Sequence, residues 1–153
     1  MIKVVNDDLL KATEDYILHQ CNCISKNSAG LALSLFKKFP YANVYKTRAS
    51  FSTPGTIQIC GNGAGERYIV NMFSQYAPGK WWNHSDNDTY ELRKEYFKSC
   101  LLQVAKIENL KSVALPVGIG CGLAGGKWED YYQMISDFAD SNPHIEVVLY
   151  KQD

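Results

Sequence analysis

The sequence lacks an excess of charge of either sign. Sixteen Lys and Arg residues balance sixteen Asp and Glu residues, so the formal net charge is zero. A protein that grips duplex nucleic acid along its surface needs a basic excess, and this class of function is therefore disfavoured. No apolar run approaches the length that spans a bilayer. The first residues, MIKVVNDDLL, also lack the pattern of a secretory signal, and we expect a cytoplasmic protein without a membrane anchor.

The composition also lacks the signatures of disorder and of coiled coils. Hydrophobic residues make up 46% of the 153 residues and charged residues 21%, which is typical of a globular protein. This length suits one domain and is short for two. We expect a single domain over residues 1–153, and a monomer as the default.

The cysteines do not indicate a disulfide framework, because there are five of them and no export signal. Cys21 and Cys23 are separated by one residue, unlike redox and zinc motifs. Together with His19 they share one strand face, which gives a three-ligand cluster without an evident fourth ligand. We favour a buried strand with small thiol side chains and expect no metal site.

Strands and helices alternate along the chain. Short β-branched or apolar runs predict strands at 2–5, 15–21, 56–60, 67–73, 112–115 and 145–150. Apolar spacing predicts helices at 29–39, 88–107 and 127–139, with a weaker one at 41–50. Asp88 is the expected N-cap of its helix, with Glu91 three residues later. The turn NGAGE at 62–66 predicts a hairpin, so we expect an α/β protein with helices on both faces of a mixed sheet.

Residues 118–126 (GIGCGLAGG) concentrate five of the chain's eleven glycines. The segment follows a predicted buried strand and precedes a predicted helix, and ligands of α/β sheets bind at the carboxyl ends of strands. Glycines let the backbone approach a ligand, and consecutive N–H groups form an anion cradle. The segment lacks the Lys-Ser/Thr ending of a P-loop. We interpret it as a pyrophosphate-binding loop rather than a plain turn, for which one or two glycines suffice.

A second strand–loop–helix junction lies at residues 19–35 (HQCNCISKNSAGLALSL). Two such loops at adjacent strand ends would hold two phosphates, or a pyrophosphate and a sugar. The Asn22 amide would hydrogen bond ribose hydroxyls, or its oxygen would form an Asx turn with the backbone, and the sequence leaves both readings open.

Asn6, Asp7 and Asp8 close the first predicted strand. One of the two carboxylates would accept a hydrogen bond from an exocyclic amine of a nucleobase. A helix-capping role for either Asp is equally natural.

These segments resemble the macro domain family. Asp8, HQCNC followed by AGLAL, GTIQI, RYIVNMFSQ and LPVGIGCGLAGGKW occur in the order seen in that family. The likeness covers the chain from Lys3 to Tyr150, and GIGCGLAGG with the following Trp128 is its most specific part. The chain resembles most the branch that processes ADP-ribose 1″-phosphate. It is also similar to the macro domain that removes terminal ADP-ribose from acidic side chains of proteins.

The resemblance implies a three-layer α/β/α sandwich with an ADP-ribose cleft across the strand ends. Asp8 is similar to the carboxylate that binds the adenine amino group. Tyr150 is similar to an aromatic near the adenine ring, and a half-buried strand residue is an equal alternative. The residues similar to the distal-ribose loop are Asn22, Asn27, Ala29, Gly30 and Leu31. Those similar to the diphosphate loop are Gly118, Ile119, Gly120, Cys121, Gly122 and Leu123.

The implied activity is hydrolysis of ADP-ribose 1″-phosphate to ADP-ribose and phosphate, with no cofactor. His19 is the candidate acid or base, because histidine titrates near neutral pH and the phosphatase relatives have a similar His-x-Cys-Asn-Cys arrangement. Asn22 is the other candidate catalytic residue. A satisfied core histidine is the alternative for His19. His84 is a second candidate base, and His144 is predicted to be structural.

Several residues depart from the family pattern. The Lys nucleophile of the protein-deglycosylating relative would fall at Gln75 and its Asp at Ala124. Lys127 stands where many phosphatase relatives are acidic, and Ser28 where family members often have Gly. The alternatives to a phosphatase are therefore a glycohydrolase acting on ADP-ribosylated protein or nucleic acid, and a non-catalytic binder of ADP-ribose.

Trp81 and Trp82 are adjacent in a polar loop. They would form a lid or a stacking platform for a base, or each would bury one ring against the domain surface. Adjacent tryptophans in such a loop are mildly indicative of a binding surface.

Overall fold

The computed structural model describes residues 1–83 and 86–152, except for the Asp86 side chain. The strands are β1 (Ile2–Asn6), β2 (Tyr16–Asn22), β3 (Ile57–Cys60), β4 (Tyr68–Gln75), β5 (Ser112–Pro116) and β6 (Glu146–Lys151). The α-helices are α1 (Gly30–Lys38), α2 (Val44–Thr47), α3 (Tyr90–Val104) and α4 (Trp128–Ser141). The candidate base His84 lies outside the described residues.

The strands form one sheet in the order β1-β6-β5-β2-β4-β3. β3 pairs antiparallel with β4, and the other neighbouring pairs are parallel. The predicted hairpin and the mixed sheet are therefore confirmed. Because β1, β6, β5, β2 and β4 run in the same direction, their carboxyl ends meet at one edge of the sheet, where α/β proteins bind ligands.

Apolar side chains cover both faces of the sheet. Successive residues of β2 point to opposite sides: Leu18 belongs to the core beneath α3 and α4, and Ile17 to the core beneath α1 and α2. Both side chains are fully buried, which is why β2 reads as a continuous apolar run rather than an alternating one. The three-layer α/β/α architecture is confirmed.

The start of α3 differs from the prediction. Its N-cap is Thr89, whose side chain accepts a hydrogen bond from Leu92 N, and not Asp88. The Asp88 carboxylate instead turns inward and forms a buried ion pair with Arg93. The prediction at Asp88 was wrong because a capping pattern does not distinguish a solvent-facing carboxylate from one that is paired inside the protein.

Within the described part of the chain, no helix has the length and apolar character needed to cross a membrane. All five cysteines are free thiols. No group of three or more potential metal-ligating side chains occurs among residues 1–83 and 86–152.

Candidate functional site

A cleft of about 550 Å³ opens at the carboxyl edge of the parallel strands. Its size lies in the usual range of small-molecule sites. Two loops form its sides: residues 22–30, between β2 and α1, and residues 117–125, after β5. The predicted residues that line it are His19, Asn22, Asn27, Ala29, Gly30, Leu31, Gly118, Ile119, Gly120, Cys121, Leu123 and Tyr150. Asp8 and Gly122 are not in the lining.

The glycine-rich loop keeps several amide groups free of internal partners. Within the described residues, the N–H groups of Gly118, Gly120, Gly122 and Leu123 donate to no protein acceptor. The backbone turns back on itself through Cys121 N to Gly118 O (2.9 Å) and Gly126 N to Gly120 O (2.9 Å). Gly118 and Gly120 have φ of 87° and 81°, a region that favours glycine. The loop is therefore preshaped to offer N–H groups to an anion.

Helix α1 faces the cleft with its amino end. Its N-cap, Ala29, makes no side-chain cap, and Ala29, Gly30, Leu31 and Ala32 all line the cleft. The first N–H groups of a helix have no intrahelical partner and carry the positive end of its dipole. The two loops meet at Gly30, where an added Cβ would lie 3.0 Å from Leu123 Cδ1. Both sides of the cleft therefore present amide donors across a narrow waist.

Asn22 is held by its backbone and by its side chain. Its N–H donates to the Tyr45 hydroxyl (2.8 Å), and its carbonyl accepts from Arg48 Nη2 (3.0 Å). Its Oδ1 accepts from Ile24 N (3.1 Å) and Ser25 N (2.8 Å), which is the Asx turn that the sequence offered as one reading. The side-chain NH₂ group donates to no described residue, so it is free to serve a ligand.

A bulge in the sheet sets the position of Asn22. The register between β2 and β4 shifts between Cys21 and Asn22, so that Asn22 pairs with Gln75. Bulges re-aim side chains and are frequent beside functional sites. Both readings of Asn22, turn former and ligand donor, are compatible with this geometry.

His19 lies in the core beneath the cleft. Its ring is 1% exposed and packs edge-on against Phe36. Its Nε2 is 2.6 Å from Asn71 Oδ1, an acceptor, so Nε2 carries the proton. Burial lowers the pKa of His19 to about 4, although the Asn71 bond opposes this shift. The geometry therefore matches the alternative of a satisfied core histidine and leaves it poorly placed as an acid.

We expect the stability of the protein to report this neutral histidine. The pKa of His19 is near 4 in the folded protein and 6.5 in the unfolded chain. Between pH 6.5 and 4 the unfolded chain therefore binds a proton that the folded protein does not bind. His19 therefore leaves the unfolding free energy unchanged above pH 6.5 and lowers it by up to about 3 kcal/mol as the pH drops towards 4. Urea unfolding between pH 7 and 4 measures this slope, and His19→Gln should flatten it. A turnover profile that bends near pH 6.5 only when His19 is present would contradict the assignment.

At one end of the cleft, Asp7 and not Asp8 is in the lining. The Asp8 side chain accepts from Leu10 N (3.0 Å) and caps a short 3₁₀ turn, Leu9–Lys11, which was the alternative reading for these carboxylates. Tyr150 lines the same end, and its hydroxyl donates to Glu14 Oε1 (2.7 Å). Desolvation and the neighbouring Glu14 raise the pKa of Tyr150, so it is a neutral hydrogen-bonding aromatic.

The other end of the cleft is built by a buried ion pair that sequence reasoning missed. Arg93 holds the Asp88 carboxylate through Nε (3.0 Å) and Nη2 (2.6 Å). Its remaining N–H groups donate to the carbonyls of Ala77, Gly79 and Ala124. Arg93 therefore ties the segment after β4 to the glycine-rich loop. No sequence signal marks it, because its partners lie on three separate segments.

The Asp88 carboxylate remains ionised in this setting. Burial alone would raise its pKa, but hydrogen bonds from Arg93 and from the amides of Tyr76 and Ala77 hold the pKa below its usual value. Beside this pair, the Gln75 side chain donates to Ala77 O (2.8 Å) and accepts from Gln20 Nε2. Gln75, where the family resemblance placed the Lys nucleophile of a relative, is thus an internally bonded amide.

Among the described residues that line the cleft there is no Lys and no Arg. An anion held here is therefore met by backbone N–H groups and uncharged polar side chains such as the Asn22 amide. The cleft therefore suits a ligand with spread-out negative charge and many polar edges, such as a dinucleotide, better than a compact phosphate dianion.

No family model matches the chain. It is 25% identical over 158 residues to the curated DNA ADP-ribosyl glycohydrolase of Thermus aquaticus, covering 99% of this chain and 41% of that protein. The chain thus spans about two fifths of the length of the curated relatives it matches. Among solved structures, the macrodomain of T. aquaticus DarG superposes with a TM-score of 0.72 and 26% identity, covering 98% of this chain and 97% of that one. A Bacteroides thetaiotaomicron protein described as of unknown function superposes with a TM-score of 0.75 and 30% identity, covering 99% and 98%.

Proposed function

We propose that this chain, which is a macro domain, binds ADP-ribose in the cleft and releases ADP-ribose from modified nucleic acid as a glycohydrolase. The observation that carries the proposal is the pair of facing amide arrays, one from the glycine-rich loop and one from the amino end of α1. Between them an ADP-ribose diphosphate would accept hydrogen bonds from Gly118, Gly120 and Leu123 N–H groups. The adenine would lie towards Asp7 and Tyr150, and the distal ribose towards Asn22 and Gln75.

The lining of the cleft favours cleavage at the anomeric carbon over cleavage at phosphorus. Phosphoryl transfer places negative charge on the equatorial oxygens, which proteins usually offset with Arg, Lys or bound cations. No cationic side chain is in the described lining. Glycosidic cleavage passes through an oxocarbenium-like transition state, whose positive charge calls for no cationic side chain. The predicted phosphatase activity stays a prediction and is an arm of the test below.

In this reaction, water adds to the anomeric carbon, the bond from that carbon to the leaving base breaks, and the base departs with a proton. The free NH₂ group of Asn22 would donate to a ribose hydroxyl and fix the sugar. Tyr45 and Arg48 would position Asn22 by binding its backbone N–H and its backbone carbonyl. His19 is neutral and bonded in the core, so its role would be to support β2 rather than to transfer protons.

The nucleic-acid substrate is proposed because the curated relatives are named for ADP-ribosylated DNA. Calorimetry with ADP-ribose tests the cleft first. Incubation with ADP-ribosylated single-stranded DNA, ADP-ribosylated protein and ADP-ribose 1″-phosphate then separates the activities. We expect free ADP-ribose from the DNA. Phosphate release alone would establish a phosphatase instead. Binding of ADP-ribose without turnover would indicate a non-catalytic binder. Absence of binding would overturn the proposal.

We expect Asn22→Ala to reduce turnover at least about tenfold, because it removes the donor to the distal ribose. It also removes the acceptor for Ile24 N and Ser25 N. Asn22→Asp is the matched variant, since it keeps an acceptor for the turn and lacks the NH₂ donor. Turnover of ADP-ribosylated DNA and ADP-ribose affinity are measured for both.

The two variants separate the roles of Asn22. If both lose turnover while the Asp variant keeps wild-type stability, the NH₂ group serves the ligand. If only the Ala variant is impaired, Asn22 acts through its Asx turn, and the assignment to the ribose is wrong.

A further inference from the structure

A second cavity, of about 490 Å³, lies beside the glycine-rich loop. Its lining is aromatic and polar: Trp81, Trp82, Thr89, Tyr90, Glu91, Gly125 and Lys127. Trp81 packs edge-on against Trp82 (centroids 5.3 Å apart, planes at 89°) and tilted against Tyr90 (5.7 Å), so the three rings form one contiguous aromatic cluster, called the platform below. Trp82 remains 54% exposed. A large apolar ring that stays half in solvent beside two other rings is typical of a recognition surface.

This platform is continuous with the far end of the first cleft. Pro78 and Gly79 line the cleft, and the chain runs directly from them to Lys80, Trp81 and Trp82. On the opposite side, Ala124 lines the cleft and its neighbour Gly125 lines the platform. The Trp82 ring packs against Gly125 so closely that an added Cβ there would lie 2.8 Å from Cζ3. The rings therefore lie next to the end of the cleft that Gly79 and Ala124 line.

The charges at the platform differ from those in the cleft. Lys80 Nζ lies over the Trp82 ring, 5.1 Å from its centroid, and Lys127 is exposed at the rim. Neither lysine forms a salt bridge with a described residue. Two described carboxylates nearby are engaged: Glu91 pairs with Lys94 (3.2 Å), and Asp130 accepts from the Tyr90 hydroxyl (2.6 Å). Lys80 and Lys127, which form no salt bridge with any described residue, thus flank the rings, next to a cleft whose described lining has no cationic side chain.

We infer that this platform binds the nucleotides that flank the modified base of a single-stranded nucleic acid, a base stacking on Trp82 and phosphates meeting Lys80 and Lys127. The inference rests on the proposed function, since it deepens the same site by naming its substrate class. Aromatic faces beside cations are how proteins hold single strands, because every base has a face that stacks. A local platform of this kind needs no overall basic charge, which agrees with a formal net charge of zero. A duplex would demand a longer basic surface.

The test compares substrates that differ only beyond the modified base. An ADP-ribosylated single-stranded oligodeoxynucleotide of about ten nucleotides covers a typical single-strand site, whereas an ADP-ribosylated mononucleoside reaches the cleft alone. We expect the KM for the oligonucleotide to be at least about tenfold lower, and Trp82→Ala to remove most of that advantage. Lys80→Ala should weaken the salt dependence of the KM for the oligonucleotide. Two exposed residues away from the platform supply the controls: Leu102→Ala, near the end of α3, for the ring, and Lys106→Ala, just beyond α3, for the charge.

The outcomes separate this inference from the proposed function. Equal KM values for the two substrates in the wild type, with ADP-ribose still bound and hydrolysed, overturn the platform and leave the glycohydrolase intact. Loss of ADP-ribose affinity in Trp82→Ala, by calorimetry, also overturns it, because the ring would then belong to the cleft. A larger effect of Trp82→Ala on ADP-ribosylated protein than on the oligonucleotide would assign the surface to a protein partner and contradict the inference.

Discussion

Replacing Arg93 by methionine should lower the free energy of unfolding by about 3–5 kcal/mol. Arg93 is 1% exposed and its partner Asp88 is fully buried, so the variant leaves a carboxylate without its counter-charge inside the protein. The carbonyls of Gly79 and Ala124 lose their donor in the same step. Since these carbonyls lie on the two segments that form the far end of the cleft, ADP-ribose affinity should fall as well. Urea unfolding and calorimetry measure the two effects.

Controls for Arg93 are available on the same helix. Lys98→Met removes an exposed cation whose pair with Glu95 (3.5 Å) should contribute less than about 1 kcal/mol. Arg93→Lys keeps the charge but cannot reproduce the forked contact with Asp88, so we expect an intermediate loss. If Arg93→Met proves as stable as Lys98→Met, the ion pair does not hold the far end of the cleft together.

The main elements could be predicted from the sequence because they depend on local patterns. β2 and β4 are apolar runs of strand length, and α1 ends at Lys38, shortly before Pro40, as the helix-breaking effect of proline requires. The glycine-rich loop was predictable for the same reason, since positive φ angles at Gly118 and Gly120 demand glycine in any context. These features need no knowledge of distant residues.

The features that were missed depend on contacts between distant segments. Asp88 looked like a helix cap because only its own helix is visible in the sequence, while its partners include the amides of Tyr76 and Ala77. Asp7 and Asp8 are chemically identical neighbours, and only the direction of the chain after β1 decides which one lines the cleft. For Asn22 two uses of one side chain were predicted, and the structure assigns its oxygen to the turn while its NH₂ group donates to no described residue.

Gly120→Ala should damage the cleft more than a methyl group added at Gly118 or Gly122, where a Cβ would meet nothing within 4 Å. At Gly120, φ is +81° and a Cβ would lie 2.6 Å from Cδ2 and Cζ of Tyr131. That ring is fully buried and packs edge-on against Phe97 (4.9 Å), so it has no room to move away. The loop must shift instead, which costs about 1–3 kcal/mol of stability from overpacking and displaces the amides of its neighbours.

We expect this shift to reduce ADP-ribose affinity at least tenfold, which corresponds to a loss of about 1.4 kcal/mol of binding free energy. Gly122→Ala is the matched control, because its φ of +60° imposes a similar backbone strain but a Cβ there meets nothing within 4 Å. Adding Tyr131→Leu to Gly120→Ala makes space for the methyl group and should restore part of the affinity. Equal affinities for the Gly120 and Gly122 variants would mean that the position of this loop does not control binding. The facing amide arrays would then no longer account for recognition of the diphosphate.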